Sequence, residues 1–151
     1  MSENPASLFK EIILDQKPLD NLSFMGSYKK RILNIYSCKE ENFIKVEWPM
    51  LWRMMQAINK KISPLAYADM ATLNMKSNSH KNIDEVIKAM NPKKCIVWGI
   101  EPMGDYASNS KFEIIQDGEM EIVFADALDV YEDIEAKKKI WKVFTQLFKE
   151  S

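Results

Sequence analysis

The feature that most constrains this chain is an alternation. Short apolar runs of strand length are separated by stretches whose apolar residues recur at helical spacing. Residues 31–36 (Arg-Ile-Leu-Asn-Ile-Tyr) and 95–98 (Cys-Ile-Val-Trp) are short, apolar and rich in β-branched residues, as strands covered on both faces are. A third run, 67–73, is broken by Asp69 and Thr72. Between the first and second of these in chain order lies 46–62. Here Met50, Leu51, Trp52, Met54, Met55, Ala57 and Ile58 cover more than one face of a helix, so the helix is buried broadly or is partly covered by a partner. Pro49 is tolerated only in a first turn, which puts the start near Glu47 or Trp48, and Pro64 stops the helix. A shorter helix over 83–90 aligns Ile83, Val86, Ile87 and Met90, with Asn82 and Glu85 spaced as a capping box. Strands alternating with helices imply right-handed crossovers. The expectation is a three-layer α/β fold with a mainly parallel central sheet and helices on both faces.

The last third departs from the alternation. Residues 112–115 and 120–124 flank Asp117-Gly118 and predict a hairpin. Residues 126–131 read as a turn or short helical piece. A final helix over 134–149 takes Asp133 as its cap and carries an apolar stripe of Ile140, Trp141, Phe144, Leu147 and Phe148. At the other end, 6–16 predicts a short amphipathic helix with Leu8, Phe9, Ile12 and Ile13 on one side, ended by Lys17-Pro18. The connector after it holds Leu22, Phe24 and Met25, part of which must pack. The chain therefore divides into an N-terminal helix and connector over 1–28, a candidate tether to a partner, and a single α/β domain over 29–151.

A length of 151 residues suits one domain. With 21 basic and 22 acidic residues the net charge is −1, which gives no global bias towards nucleic acid or a membrane surface. No apolar stretch approaches the ~18 residues a membrane span needs. The first ten residues carry Glu3, Asn4 and Pro5 rather than an apolar leader, so a cytoplasmic location is expected. Ten Met accompany only four Gly; Met fills irregular gaps in a core and adapts to partners at a surface.

The search for chemistry yields little. Gly99 and Gly104 have the glycine spacing of a phosphate loop, but Asp105 stands where Lys is required. His80, the single histidine, lies in a polar loop. Cys95 sits inside an apolar run. Cys38 follows the first strand, where α/β proteins place ligands, yet a nucleophilic thiol needs a base. Asp126, Asp129 and Asp133 share a face only if that stretch is helical, and capping explains them without a metal. The chain is thus expected to be no enzyme, with no cofactor and no metal. Protein binding is the class that remains. The candidate partner-binding residues are Leu8, Phe9, Ile12 and Ile13 with Trp48 and Trp52, a pair at helical spacing for which core burial is the alternative.

The C-terminal half carries a further pattern. Cys95-Ile96-Val97-Trp98-Gly99 is followed by a Pro-containing loop, a hairpin and Phe124-Ala125-Asp126-Ala127-Leu128. A spacer then leads to Ala136-Lys137-Lys138-Lys139-Ile140-Trp141-Lys142-Val143-Phe144. This resembles the psi subunit of the bacterial DNA polymerase III clamp-loader assembly, in which a turn of small residues and leucine leads into a helix with a basic residue and a late Trp. The run 31–36 and the helix after it are similar to divergent psi-like proteins, so the resemblance spans roughly residues 30–148. It implies a fold like that of uracil-DNA glycosylase without the activity. Ser37-Cys38-Lys39-Glu40-Glu41 replaces the glycosylase's water-positioning loop, and His80 is in no His-Pro-Ser-type loop. It also implies an adaptor role, with clamp-loader subunits as partners and an N-terminal segment as the grip. The alternatives are an α/β interaction module of an unrelated pathway and a small enzyme using Cys38 or an acidic cluster.

Overall fold

The computed structural model describes residues 21–149. Five strands form one sheet: β1 (Ile32–Tyr36), β2 (Met70–Asn74), β3 (Lys94–Trp98), β4 (Ile115–Asp117) and β5 (Met120–Ala125), in the order β2-β1-β3-β5-β4. The first four in that order run parallel, and β4 pairs antiparallel with β5. Three longer helices accompany them: α1 (Trp48–Lys61), α2 (Ile83–Met90) and α3 (Ile134–Leu147). The connection from β1 steps to β2 on one side, and the next steps back across β1 to β3. Crossovers of constant right hand then require α1 and α2 on opposite faces.

The side chains follow that requirement. Ile32 and Tyr36 of β1, Ile96 and Trp98 of β3, and Val123 and Ala125 of β5 pack in one cluster with residues of α1 and α3. Their neighbours Leu33, Ile35, Cys95, Val97, Ile122 and Phe124 pack in a second cluster with Ile83, Val86, Ile87 and Met90 of α2. Alternate residues of each strand thus feed opposite cores. The domain is three-layered, with α1 and α3 on one face of the sheet and α2 on the other.

Local chemistry explains where elements start. Asn82 Oδ1 accepts from Glu85 N at 2.9 Å and Glu85 Oε1 accepts from Asn82 N at 3.1 Å, the reciprocal bonds of a capping box. Asp133 Oδ2 accepts from Ala136 N at 3.0 Å and caps α3. The helix leading to α1 begins earlier than Pro49 suggests. Glu40–Asn42 forms a helical turn and Phe43–Glu47 a π-helical stretch that runs into α1, with Phe43 stacked on Tyr36 at 3.8 Å between ring centroids. β2 begins at Met70 rather than at 67. Asp69 Oδ2 accepts from Ala66 N at 2.8 Å and winds Tyr67–Asp69 into a 3-10 turn. The hairpin is shorter than its sequence suggests: Phe112 takes φ 66°, and β4 starts only at Ile115. Residues 126–133 are not one helix. A 3-10 turn occupies Leu128–Val130, and Asp126 and Asp133 serve separate partners, so the shared carboxylate face does not form.

The domain core starts upstream of residue 29. Leu22, Phe24 and Met25 are buried, and Met25 bridges Thr72 along the outer edge of β2 with bonds of 2.9 and 2.8 Å. Asn78, fully buried, donates to the Ser23 carbonyl at 3.0 Å and accepts from Ser23 N at 2.7 Å. The predicted N-terminal helix, with Leu8, Phe9, Ile12 and Ile13, lies outside the described residues. Among the described residues no helix is long and apolar enough to cross a membrane.

Candidate functional site

Two places on the fold have the geometry of a site. One is the crevice beyond the carboxyl ends of β1 and β3, where the strand order reverses and open α/β sheets bind ligands. The other is a groove between α1 and α3.

The crevice holds Cys38 just after β1. Its amide donates to Asn74 Oδ1 at 3.4 Å, and Asn74 Nδ2 donates back to its carbonyl at 2.9 Å. Burial, then a hydrogen bond to Glu47 and the charge of that carboxylate, push the thiol up to about 12. Glu47 is itself buried. An activated cysteine needs a neighbouring cation or base that favours the thiolate; Cys38 has an acid that favours the protonated thiol. His80 is exposed. Across the crevice, Lys111 Nζ lies 2.9 Å from Glu101 Oε1 and 3.0 Å from Asp126 Oδ1, so these charges answer one another. The Gly99–Gly104 loop is no phosphate cradle. Asp105 N donates to Asp84 Oδ2 at 3.2 Å, and a Cβ at Gly104 would sit 2.2 Å from that same oxygen. A carboxylate occupies the place an anion needs. Among the described residues no group of three or more His, Cys, Asp or Glu is placed to hold a metal.

The groove between α1 and α3 has a different character. Its volume is about 290 Å³. Met50 and Met54 of α1, Ile140 and Phe144 of α3, and Tyr131 line its floor, while Ala57 and Trp141 line its sides. On α1, Met50, Met54 and Ala57 recur at helical spacing on one face, as do Lys137, Ile140, Trp141 and Phe144 on α3. Cations mark the rim. Arg53 and Lys137 line the groove, and Lys61 Nζ stands 5.9 Å from the Trp141 ring centroid. Trp141 is half-buried rather than a core residue of the α3 stripe, and meets Phe144 edge-on at 6.2 Å.

The two tryptophans proposed as anchors part company. Trp48 is 1% exposed and packs 6.1 Å from Phe43 and 5.8 Å from Trp52, so it belongs to the core and not to an exposed pair. Trp52 is half-buried. Spacing cannot separate these outcomes, because both residues lie on the broad apolar surface of α1 and only the neighbouring layer decides which is covered. The apolar residues of α1 and of the α3 stripe were named from the sequence but not joined into one site. The signals were the breadth of the α1 apolar surface, which suggested a partner's cover, and the α3 stripe itself. No protein-family model matches the chain, and no curated protein matches it significantly.

Proposed function

We propose that this protein is a non-catalytic protein-binding adaptor. In its fuller form, it is a cytoplasmic accessory subunit resembling the psi subunit of the DNA polymerase III clamp loader, with a uracil-DNA-glycosylase-like fold and none of that enzyme's chemistry. The observation that carries the binding role is the groove between α1 and α3, an apolar channel about 290 Å³ in volume with Arg53 and Lys137 at its edge. Concave apolar surfaces with a polar rim are where proteins seat the anchoring side chains of partners. The psi-like part draws support from element order. Four parallel strands lie between helix layers, and a 3-10 turn at Leu128–Val130 feeds a lysine-rich helix with a late Trp141. The protonated thiol of Cys38 favours this reading over a cysteine enzyme.

The test is reconstitution. Purified full-length chain is mixed with purified clamp-loader subunits and run on a sizing column, and co-elution is expected. If the folded chain elutes alone with every subunit, the psi-like part falls. A stoichiometric partner from another pathway would then keep the adaptor and replace its context. Release of uracil from uracil-containing DNA by the pure chain would overturn the non-catalytic reading.

A further inference from the structure

The near-neutral charge of the whole chain hides a segregation that appears only in the fold. α1 carries Arg53, Lys60 and Lys61 and no acid. α3 carries Lys137, Lys138, Lys139 and Lys142 against the single acid Glu135. These two helices lie on the same face of the sheet. On the opposite face α2 carries Asp84 and Glu85 against Lys88, and Asp105 and Asp117 line the same cleft. Arg53 pairs with Glu132 at 2.9 Å and Lys138 with Glu135 at 3.5 Å. Lys60, Lys61, Lys137, Lys139 and Lys142 form no ion pair among the described residues. The apolar groove runs through the middle of this basic face.

Building on the adaptor reading, we propose that the α1/α3 groove binds an acidic amphipathic segment of a protein partner, with its large apolar side chains in the groove and its Asp and Glu against Lys61 and Lys137. Charge complementarity selects the sign of the partner, since a basic or neutral segment would leave the rim lysines unanswered. The floor selects an apolar anchor, since Met50, Met54 and Ile140 offer a polar one no donor and at best the weak acceptor of a thioether. Methionine lets the floor adapt to the shape of that anchor. Beyond Lys137, Ile134 lies two turns before Trp141 on the same side of α3 and is 68% exposed, so a longer segment finds a second apolar contact past the groove. A nucleic acid fits less well. Single strands are held by aromatic faces open to stacking, whereas the Trp141 ring is half-buried, covered by Lys61 and set against Phe144.

The experiment uses the full chain as bait for a random peptide library. Enriched peptides are then synthesised with a fluorophore and titrated by anisotropy. Enrichment in Asp and Glu together with Leu, Phe or Trp is expected, as is a quenched or shifted tryptophan emission of the chain on binding a Trp-free peptide, a change that Trp141→Phe should reduce. The double variant Lys61→Glu/Lys137→Glu, both exposed positions, is expected to bind about tenfold more weakly or worse, while Lys61→Arg/Lys137→Arg binds normally. Replacing the apolar residues of the peptide with Ser is expected to cost a similar factor. The proposal is overturned by any of five results: no enrichment; enriched peptides without net negative charge; equal binding by the Ser-substituted peptide; equal binding by the charge-reversed chain; or a single-stranded DNA oligomer that binds more tightly through the same lysines. A synthetic peptide of residues 2–16 that competes as well as the selected ones would assign the groove to the chain's own N-terminal segment, and the proposal would fall that way too. The adaptor reading is separable. If a captured partner still binds the charge-reversed chain, the adaptor stands and acts through another surface.

Discussion

Asn34 sits in the middle of β1, an inner strand of the sheet, 1% exposed, among residues otherwise apolar. Its Oδ1 accepts from the indole Nε1 of Trp98 at 3.0 Å, which allows a large aromatic with a polar atom to be buried beside α3. Asn34→Leu keeps the bulk but leaves the buried indole N–H without its acceptor, at an expected cost of about 1–3 kcal/mol. Adding Trp98→Phe removes the orphaned donor, so the double variant should lose less than the two single losses combined. Urea titrations of the four proteins check this, and strict additivity would mean the bond contributes nothing. Cys38 gives a second expectation. Its folded-state thiol is pushed up to about 12 by burial and by Glu47, so the folded protein keeps a proton that the unfolded chain gives up near pH 8.5. That stability is fully present below about pH 8.5 and is lost as pH rises towards about 12. Alkylation of the native protein at pH 8 should therefore be much slower at Cys38 than in a denatured sample, and Glu47→Gln should speed it. Equal rates in native and denatured protein would show a thiol that Glu47 does not hold. Neither pairing was legible in the sequence. Asn34 and Trp98 are 64 positions apart, and the sequence showed only that Cys38 follows a strand.

Elements were legible where their signals are local. The Asn82–Glu85 box and the Asp133 cap involve residues three apart, and both helices start where those residues predict. α1 starts at Trp48, where Pro49 puts it, but the sequence did not show the π-helical stretch that brings the chain to Pro49 already wound, because the stack of Phe43 on Tyr36 that accompanies it joins a helix to a strand. The connector shows the same limit. Its apolar residues signalled burial, but not that Met25 would lie along β2. Gly26 is the residue that permits this approach. It takes φ 106°, and a Cβ there would stand 2.1 Å from the Met70 carbonyl oxygen. Backbone cannot yield as a side-chain end does, so Gly26→Ala combines backbone strain with a clash and should cost about 2–4 kcal/mol. Gly118 is the control: its φ is 62° and nothing lies within 4 Å of an added Cβ, so Gly118→Ala carries strain alone. A melting comparison in which both variants fall equally would show that the edge of β2 can move aside for the connector.

At the scale of the whole molecule, the alternation of strands and helices sufficed for the layered architecture, because crossover handedness leaves few alternatives. It did not suffice for the site. The groove exists because α1 and α3, more than seventy residues apart in the chain, lie side by side on one face, and the charge polarity follows from the same placement. That placement has a consequence for how the domain unfolds. All four tryptophans, Trp48, Trp52, Trp98 and Trp141, lie on the α1/α3 side of the sheet, so intrinsic fluorescence reports that layer. Far-ultraviolet circular dichroism reports all the helices and strands, α2 included. The two layers do not have independent supports, since β1, β3 and β5 each give alternate side chains to both clusters. Losing either helix layer exposes one face of strands whose other face is still packed, and the parallel pairs β1–β2, β1–β3 and β3–β5 are held by burial on both faces. A sheet stripped on one side should not survive, and the two signals should change together in a single transition with one urea midpoint. A fluorescence transition that precedes the dichroism transition would mean that α1 and α3 leave while α2 and the sheet persist, and the central sheet would then not be the common support of both layers.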